Sequence, residues 1–134
     1  MDEKFYLLIA GSRDFNDYKR LESICNLLLR NVKCDIVIVS GGARGADTLA
    51  EHYAFTNGFE LKVFKAKWDK YGKSAGYRRN EEMQEFIAKK NRKGIVCFWD
   101  GSSKGTRHNF ELARKLQNPL RIYNYKTNQF LEYK

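Results

Sequence analysis

Short apolar runs alternate with amphipathic segments along this chain, and that alternation limits the fold more than any other feature of the sequence. A near-continuous apolar run is typical of a strand buried on both faces of a sheet, and most of the runs here lead into apolar residues at helical spacing. Because a chain of 134 residues suits one hydrophobic core, the pattern predicts a single α/β domain over residues 1–134.

The predicted sheet is open, mostly parallel and five-stranded, with helices on both faces, which is a Rossmann-like arrangement. Its strands are expected at residues 5–10, 35–40, 61–64, 94–99 and 120–123. We expect the strand order 3-2-1-4-5, in which the loops after strands 1, 2 and 4 meet at the edge where such sheets bind ligands. These three strands should end, within about two residues, at Ala10, Ser40 and Trp99.

Residues 65–79 lack apolar periodicity and are predicted as a long loop, which in so short a chain is either functional or an arm for assembly. Trp68, Tyr71 and Tyr77 are interleaved there with lysines and arginines. Two roles stay open for these aromatic residues: stacking on a base as the loop closes over a ligand, or packing within the loop or at a dimer contact. No element is predicted for residues 126–134.

The loops after strands 1, 2 and 4 are rich in arginine and small hydroxyl residues, and they hold six of the ten glycines. Glycine lets backbone N–H groups approach a ligand, and a helix N-terminus adds a positive dipole end, so these loops favour a phosphate. Arginine offers phosphate a bidentate fork, which makes Arg13 and Arg44 the natural clamps. The predicted ligand contacts in these loops are Gly11, Ser12, Arg13, Ser40, Gly41, Gly42, Arg44, Gly45, Asp47, Asp100, Gly101, Ser103, Gly105 and Thr106.

The loops match neither the GxGxxG motif of dinucleotide-binding domains nor the GxxxxGK[ST] phosphate loop. NAD binding and Walker-type ATP hydrolysis are therefore disfavoured, and no cofactor is expected. Cys25, Cys34 and Cys97 lie in apolar patterns without a CxxC or Cys/His cluster. We expect buried free thiols, and neither a metal site nor a disulfide.

Four segments, taken in order, resemble the YspA-type members of the SLOG superfamily. They are residues 11–15, 40–51, 68–83 and 99–108, and the most recognisable is SGGARGADTLAE at 40–51. The resemblance covers nearly the whole chain and implies a Rossmann-like fold and a nucleotide-type ligand. It also implies a functional arginine near Arg79, at the expected start of the third helix, with Asn80 beside it among the ligand contacts.

The wider superfamily includes cytokinin-activating nucleotide phosphoribohydrolases, whose Pro-Gly-Gly-x-Gly-Thr-x-x-Glu segment ends in a glutamate that serves the glycosidic chemistry. The aligned residues 100–109 have no carboxylate at that place. A hydrolase would need another group, and the candidates are Asp47 and Glu51, one helical turn apart, with His108 for proton transfer. The alternative is that Asp47 complements a helix N-terminus while Glu51 and His108 are polar surface.

The net charge of +9 favours polyanionic ligands without choosing among them. Our first hypothesis is a module that binds a nucleotide or nucleotide-derived phosphate ligand and senses or sequesters it. The first alternative is a hydrolase that cleaves an N-glycosidic or phosphate bond of a nucleotide. The second is nucleic-acid binding, as in the DprA-like relatives, although the sequence contains no reading motif. From relatives with this fold we expect a homodimer or higher homo-oligomer.

The amino-terminal residues lack the basic-then-apolar layout of a signal peptide, and no apolar run approaches the ~20 residues of a membrane span. We therefore expect a cytoplasmic protein with no membrane partner.

Overall fold

The computed structural model describes residues 3–132, which form an α/β domain around one six-stranded sheet. Its strands are β1 (Phe5–Gly11), β2 (Ile36–Ser40), β3 (Glu60–Val63), β4 (Arg92–Trp99), β5 (Leu120–Asn124) and β6 (Gln129–Leu131). Its helices are α1 (Tyr18–Leu29), α2 (Ala46–Asn57), α3 (Trp68–Tyr71), α4 (Ala75–Ala88) and α5 (Lys104–Leu116). Residues 1, 2, 133 and 134 of the predicted domain lie outside the described residues.

The strand order is β3-β2-β1-β4-β5-β6, with β1 to β5 parallel and β6 antiparallel. The predicted α/β class and the order 3-2-1-4-5 are confirmed, and one strand is added at the edge. β1 lies at the centre, where its Leu8 is aligned with Val39 of β2 and Ile95 of β4.

Side chains of the central strands alternate between two buried layers, because successive residues of a strand point to opposite faces of the sheet. In β1, Leu7 and Ile9 pack with residues of α1 and α2 on one face. Leu8 and Ala10 pack with residues of α4 and α5 on the other face. Full burial of such aliphatic side chains contributes about 1.5–3 kcal/mol each, so the two layers hold β1 as the fixed centre of the fold.

Residues 65–79, predicted as a loop, are mostly helical. α3 leads into a 3-10 turn at Gly72–Ser74, and α4 begins at Ala75, so Arg79 lies in the second turn of α4 rather than at its start. The prediction was wrong because no residue of α3 or of the 3-10 turn is buried, and the first five residues of α4 bury only Ala75. Apolar residues therefore do not recur there at helical spacing.

β6 lies in the segment for which no element is predicted, and it pairs with β5 so that Phe130 is aligned with Tyr123. The Asn124 side-chain oxygen accepts hydrogen bonds from the backbone N–H groups of Lys126, at 2.9 Å, and Thr127, at 3.2 Å. Asn128 completes the turn with a left-handed φ of 63°, which asparagine tolerates. A three-residue strand is too short to show a period in the sequence.

The prediction of buried cysteines holds for Cys25 and Cys97, but Cys34 is only half-buried, next to the Arg92 side chain. Cys34 differs because it lies just before β2, outside the covered part of the sheet. Burial raises the pKa of the Cys25 and Cys97 thiols, so both stay protonated. Within the described residues, no helix is long and apolar enough to cross a membrane.

Candidate functional site

A cavity of about 440 Å³ opens at the carboxyl ends of β1 and β4, where the strand order reverses. β1 ends at Gly11, β2 at Ser40 and β4 at Trp99, each within one residue of its predicted end. Small-molecule sites typically have volumes of roughly 300–1,000 Å³, so this cavity is large enough for a mononucleotide-sized ligand. The predicted contacts that line it are Gly11, Ser12, Arg13, Arg44, Asp47, Arg79, Asn80, Asp100, Ser103, Gly105 and Thr106.

The other predicted contacts lie outside the lining of the cavity, and they are Ser40, Gly41, Gly42, Gly45 and Gly101. Gly45 has a φ of +78°, and a methyl group there would lie 2.4 Å from the carbonyl oxygen of Arg13. Gly41 has no room for a side chain between Arg79 and Asp47. These two glycines let the loops around the cavity pack closely against one another. They contact other parts of the protein and do not line the cavity.

Ser12 ties the loops around the cavity to one another and is almost fully buried. Its N–H donates to the carbonyl oxygen of Phe98 at 2.9 Å, and its hydroxyl oxygen accepts from the Asp100 N–H at 3.2 Å. Its carbonyl oxygen accepts from the N–H of Ala46, the first residue of α2, at 3.3 Å. The loops after β1 and β4 and the start of α2 are thus held in fixed relation.

Asp47 and Arg79 form the charged wall of the cavity. Asp47 is only 6% exposed, and its carboxylate accepts from the Ala43 N–H at 3.1 Å. Burial raises the pKa of Asp47 to about 6, against the opposing effects of Arg79 and of the Ala43 N–H. Arg79 donates to the Gly41 carbonyl oxygen, and its Nε donates to the Asn80 side-chain oxygen at 2.9 Å. A half-buried guanidinium is therefore held in place beside a buried carboxyl group.

The other two predicted catalytic residues lie outside the cavity lining. A carboxylate oxygen of Glu51 lies 3.3 Å from the hydroxyl of Ser40, the last residue of β2. His108 lines an adjoining recess, its Nδ1 is 3.3 Å from the Asn80 amide nitrogen, and desolvation lowers its pKa. Asp47 thus lines the cavity and Glu51 does not, although Glu51 is near enough to help raise the pKa of Asp47.

Comparison with known proteins places this chain in a family. A family model described as the YspA, cpYpsA-related SLOG family matches residues 5–71. The Gene 61 protein of Mycobacterium phage D29 is 36% identical over 121 residues, which cover 85% of this chain and 92% of the phage protein. The chain belongs to the YspA, cpYpsA-related SLOG family.

One solved structure similar to this SLOG protein is that of a predicted subunit of a tRNA methyltransferase from Methanocaldococcus jannaschii. The two chains share 16% sequence identity with a TM-score of 0.44, and the match covers 93% of this chain and 71% of the other.

Basic and acidic side chains both line the SLOG cavity, and its acidic residues are Asp14, Asp47 and Asp100. Arg13, Arg44 and Lys73 line it, and the Arg44 side chain is 76% exposed with its guanidinium 4.0 Å from the Asp14 carboxylate. Gly45 and Ser103 are the N-cap residues of α2 and α5, and in the described chain neither caps its helix with a side-chain hydrogen bond. The amino-terminal turns of α2 and α5 therefore add positive dipole ends to the charge of the arginines, although the Ala46 N–H of α2 is already bonded to the Ser12 carbonyl oxygen.

Asn109 lines the cavity from α5 and is 3% exposed. In the segment that resembles the phosphoribohydrolases, Asn109 aligns with their glutamate. Gln84 donates from its amide nitrogen to the Asn109 side-chain oxygen at 3.1 Å and to its carbonyl oxygen at 3.2 Å. Asn109 is not among the predicted contacts, although it lies in the aligned segment 100–109.

Asp14, Lys73 and Gly76 also line the cavity without being among the predicted contacts, and so does Trp68, for which two roles stayed open. Trp68 and Gly76 could have been found from the family-like segment 68–83, which contains both residues. The prediction of a loop at 65–79 gave no other indication of where their side chains lie. Among residues 3–132, no group of three or more His, Cys, Asp and Glu side chains is arranged to hold a metal ion.

Proposed function

We propose that this protein binds a nucleotide or nucleotide-derived ligand through its phosphate, in the cavity at the carboxyl edge of the sheet, as a sensor or sequestering module. The observation that carries the proposal is the combination of arginines with the amino-terminal turns of α2 and α5 around one cavity. Each of these groups is complementary to a phosphate, and the fixed network around Arg79 means that little rearrangement is needed on binding.

Binding without turnover is supported by the side chain at position 109. A glycosidic bond breaks with the help of a carboxyl group that acts as acid, base or nucleophile. Asn109 is a neutral amide engaged by Gln84, so it can orient a ligand but cannot exchange a proton at neutral pH. Membership of the SLOG family supports a nucleotide-related ligand and leaves the reaction open.

A nucleotide hydrolase is the second candidate, and Asp47 is the observation that favours it. Asp47 is a buried carboxyl group in the cavity lining with a pKa of about 6, raised chiefly by burial. A general acid or base works best with a pKa near the operating pH. The hypothesis of a nucleotide hydrolase therefore depends on Asp47, since Glu51 and His108 lie outside the cavity lining.

Titration calorimetry with the four ribonucleoside 5′-monophosphates and with inorganic phosphate tests the proposal. Arg44→Ala should weaken binding about ten- to a hundredfold, because a charged hydrogen bond contributes ~1.5–3 kcal/mol. Arg121→Ala is the matched control, since Arg121 is an exposed arginine near the amino end of β5, at the opposite edge of the sheet. If the wild-type protein binds none of these compounds, the proposal is wrong.

A further inference from the structure

We propose that Trp68 is the platform on which the base of the ligand stacks, so that the site selects a nucleotide over a sugar phosphate. This inference rests on the proposed function, because it assigns the part of the ligand beyond the phosphate. Trp68 lines the same cavity as Arg79, and its side chain is 49% exposed. An exposed indole beside a cationic site has an apolar face that a base would cover.

Gly76 keeps the space between Trp68 and Arg79 open. A methyl group at Gly76 would lie 3.4 Å from the indole carbon Cη2 of Trp68 and 3.9 Å from Nη2 of Arg79. The indole and the guanidinium therefore approach one another across this glycine, within reach of one small ligand. A phosphate held by Arg79 would place the remainder of a mononucleotide near the indole.

The backbone does not explain the glycine at this position. Gly76 lies in the first turn of α4, and its φ is outside the left-handed range that favours glycine. Within a helix, glycine costs about 1 kcal/mol relative to alanine. What the absence of a side chain does provide is room in the cavity beside Trp68, which is the room that a ribose or a base requires.

Arg13 is the present neighbour of the indole. Its guanidinium carbon lies 5.7 Å from the centroid of the Trp68 ring, within the range of a cation–π contact. Arg13 is exposed, so it can move from the ring to the phosphate when a base takes its place. The same ring that attracts a guanidinium also stacks well on the planar face of a base.

The other aromatic residues of this region are less suited to the role. Tyr77 lines the cavity, but His108 packs edge-to-face against it with ring centroids 4.5 Å apart. Tyr71 is outside the cavity lining, and the Arg78 guanidinium covers its ring at 4.3 Å. Tyr77 is also exposed, at 44%, so what distinguishes Trp68 is that no aromatic ring packs against it among the described contacts and that it faces Arg79 across Gly76.

The experiment compares the four ribonucleoside 5′-monophosphates with ribose 5-phosphate by titration calorimetry of the full chain. The wild-type protein should bind at least some of the monophosphates ten- to a hundredfold more tightly than ribose 5-phosphate, the size of one stacking contact. Trp68→Ala should remove this preference while leaving the affinity for ribose 5-phosphate unchanged, and Trp68→Phe should keep most of it. Tyr71→Ala is the matched control, an aromatic deletion in the same short helix that should change neither affinity.

Three results would overturn the inference, and they can be told apart from failure of the proposed function. Equal affinity of the wild type for ribose 5-phosphate and all four monophosphates, or an equal loss of both in Trp68→Ala, leaves the phosphate site in place and removes Trp68 as the base platform. Loss of the preference in Tyr77→Ala but not in Trp68→Ala assigns the platform to Tyr77. Absence of binding by any of the five compounds refutes both proposals. Thermal melting shows whether each variant remains folded.

Discussion

Arg79 and Asp47 flank the backbone of Gly41, where an added methyl group would lie 2.8 Å from a guanidinium nitrogen and 2.8 Å from a carboxylate oxygen. Arg79 also donates to the Gly41 carbonyl oxygen, and Asp47 accepts from the N–H of Ala43 in the same loop. The two charges are therefore positioned by the backbone that follows β2. A phosphate bound by Arg79 would lie close to this buried carboxyl group, so we expect the protonation state of Asp47 to affect both stability and binding.

Asp47→Asn should remove a pH dependence of stability. Burial raises the pKa of Asp47 from 3.8 to about 6 in the folded protein, with Arg79 and the Ala43 N–H acting against the change. Because the folded-state pKa is the higher one, the unfolded chain loses this proton first as the pH rises. The wild type therefore loses stability between about pH 4 and pH 6, by about 3 kcal/mol in total.

Urea unfolding of the wild type and Asp47→Asn between about pH 4 and pH 7 measures this effect. The difference between their free energies of unfolding should shift in favour of the variant up to about pH 6 and stay constant above it. A difference that does not change with pH in this range would show that burial leaves the Asp47 carboxyl group unperturbed.

Gly45→Ala should destabilise the fold by about 2 kcal/mol or more. The added methyl group would lie 2.4 Å from the Arg13 carbonyl oxygen, on a residue with a φ of +78°. Gly105→Ala is the control, since no atom lies within 4 Å of its added methyl group and alanine is favoured in a helix. Urea unfolding without ligand should show a lower midpoint for Gly45→Ala alone. Equal midpoints for the two variants would mean that the loop after β1 moves aside at little cost.

The parts of the fold that could be predicted from the sequence are those where burial is apolar on both faces. Leu8 and Val39 belong to strands of this kind, whose continuous apolar runs stop at the cavity. Residues 68–79 could not be predicted as helical, because Ala75 is the one buried residue among them and the adjacent Asn80 is held by a hydrogen bond to Gly105 of α5. A hydrophobic pattern contains no record of such bonds.

The candidate site shows a similar division. Glycine-rich loops predict where the backbone closely approaches another group. They do not predict whether that group is a ligand or another loop. For Gly45 the close neighbour is the backbone of Arg13, whereas Gly105 faces open space at the start of α5. Tertiary contacts decide between these cases, and the spacing of glycines along the chain does not report them.

Binding of nucleotides should depend only weakly on salt, whereas nucleic-acid binding would depend on it steeply. A protein that neutralises many backbone phosphates loses about 10³–10⁵ in affinity between roughly 50 and 200 mM salt. A nucleoside monophosphate carries a single phosphate group, so we expect a loss of less than about tenfold when it binds in the cavity lined by Arg13, Arg44, Lys73 and Arg79. Fluorescence anisotropy with labelled single-stranded and duplex oligonucleotides provides the comparison. Tight, steeply salt-dependent oligonucleotide binding would favour the nucleic-acid alternative.

The last prediction concerns catalysis and follows from Asn109. Loss of an acid, base or nucleophile reduces a rate by at least about 10²–10⁴-fold, and a buried amide held by Gln84 cannot take over that role. We therefore expect nucleoside monophosphates to bind but to release free base or phosphate slowly or not at all, as measured by chromatography of the incubated mixtures. Asp47→Asn should bind them at least as tightly as the wild type, because it removes a negative charge next to the phosphate. Rapid release by the wild type that Asp47→Asn abolishes, with binding preserved, would instead identify Asp47 as the catalytic carboxyl group and the protein as a nucleotide hydrolase.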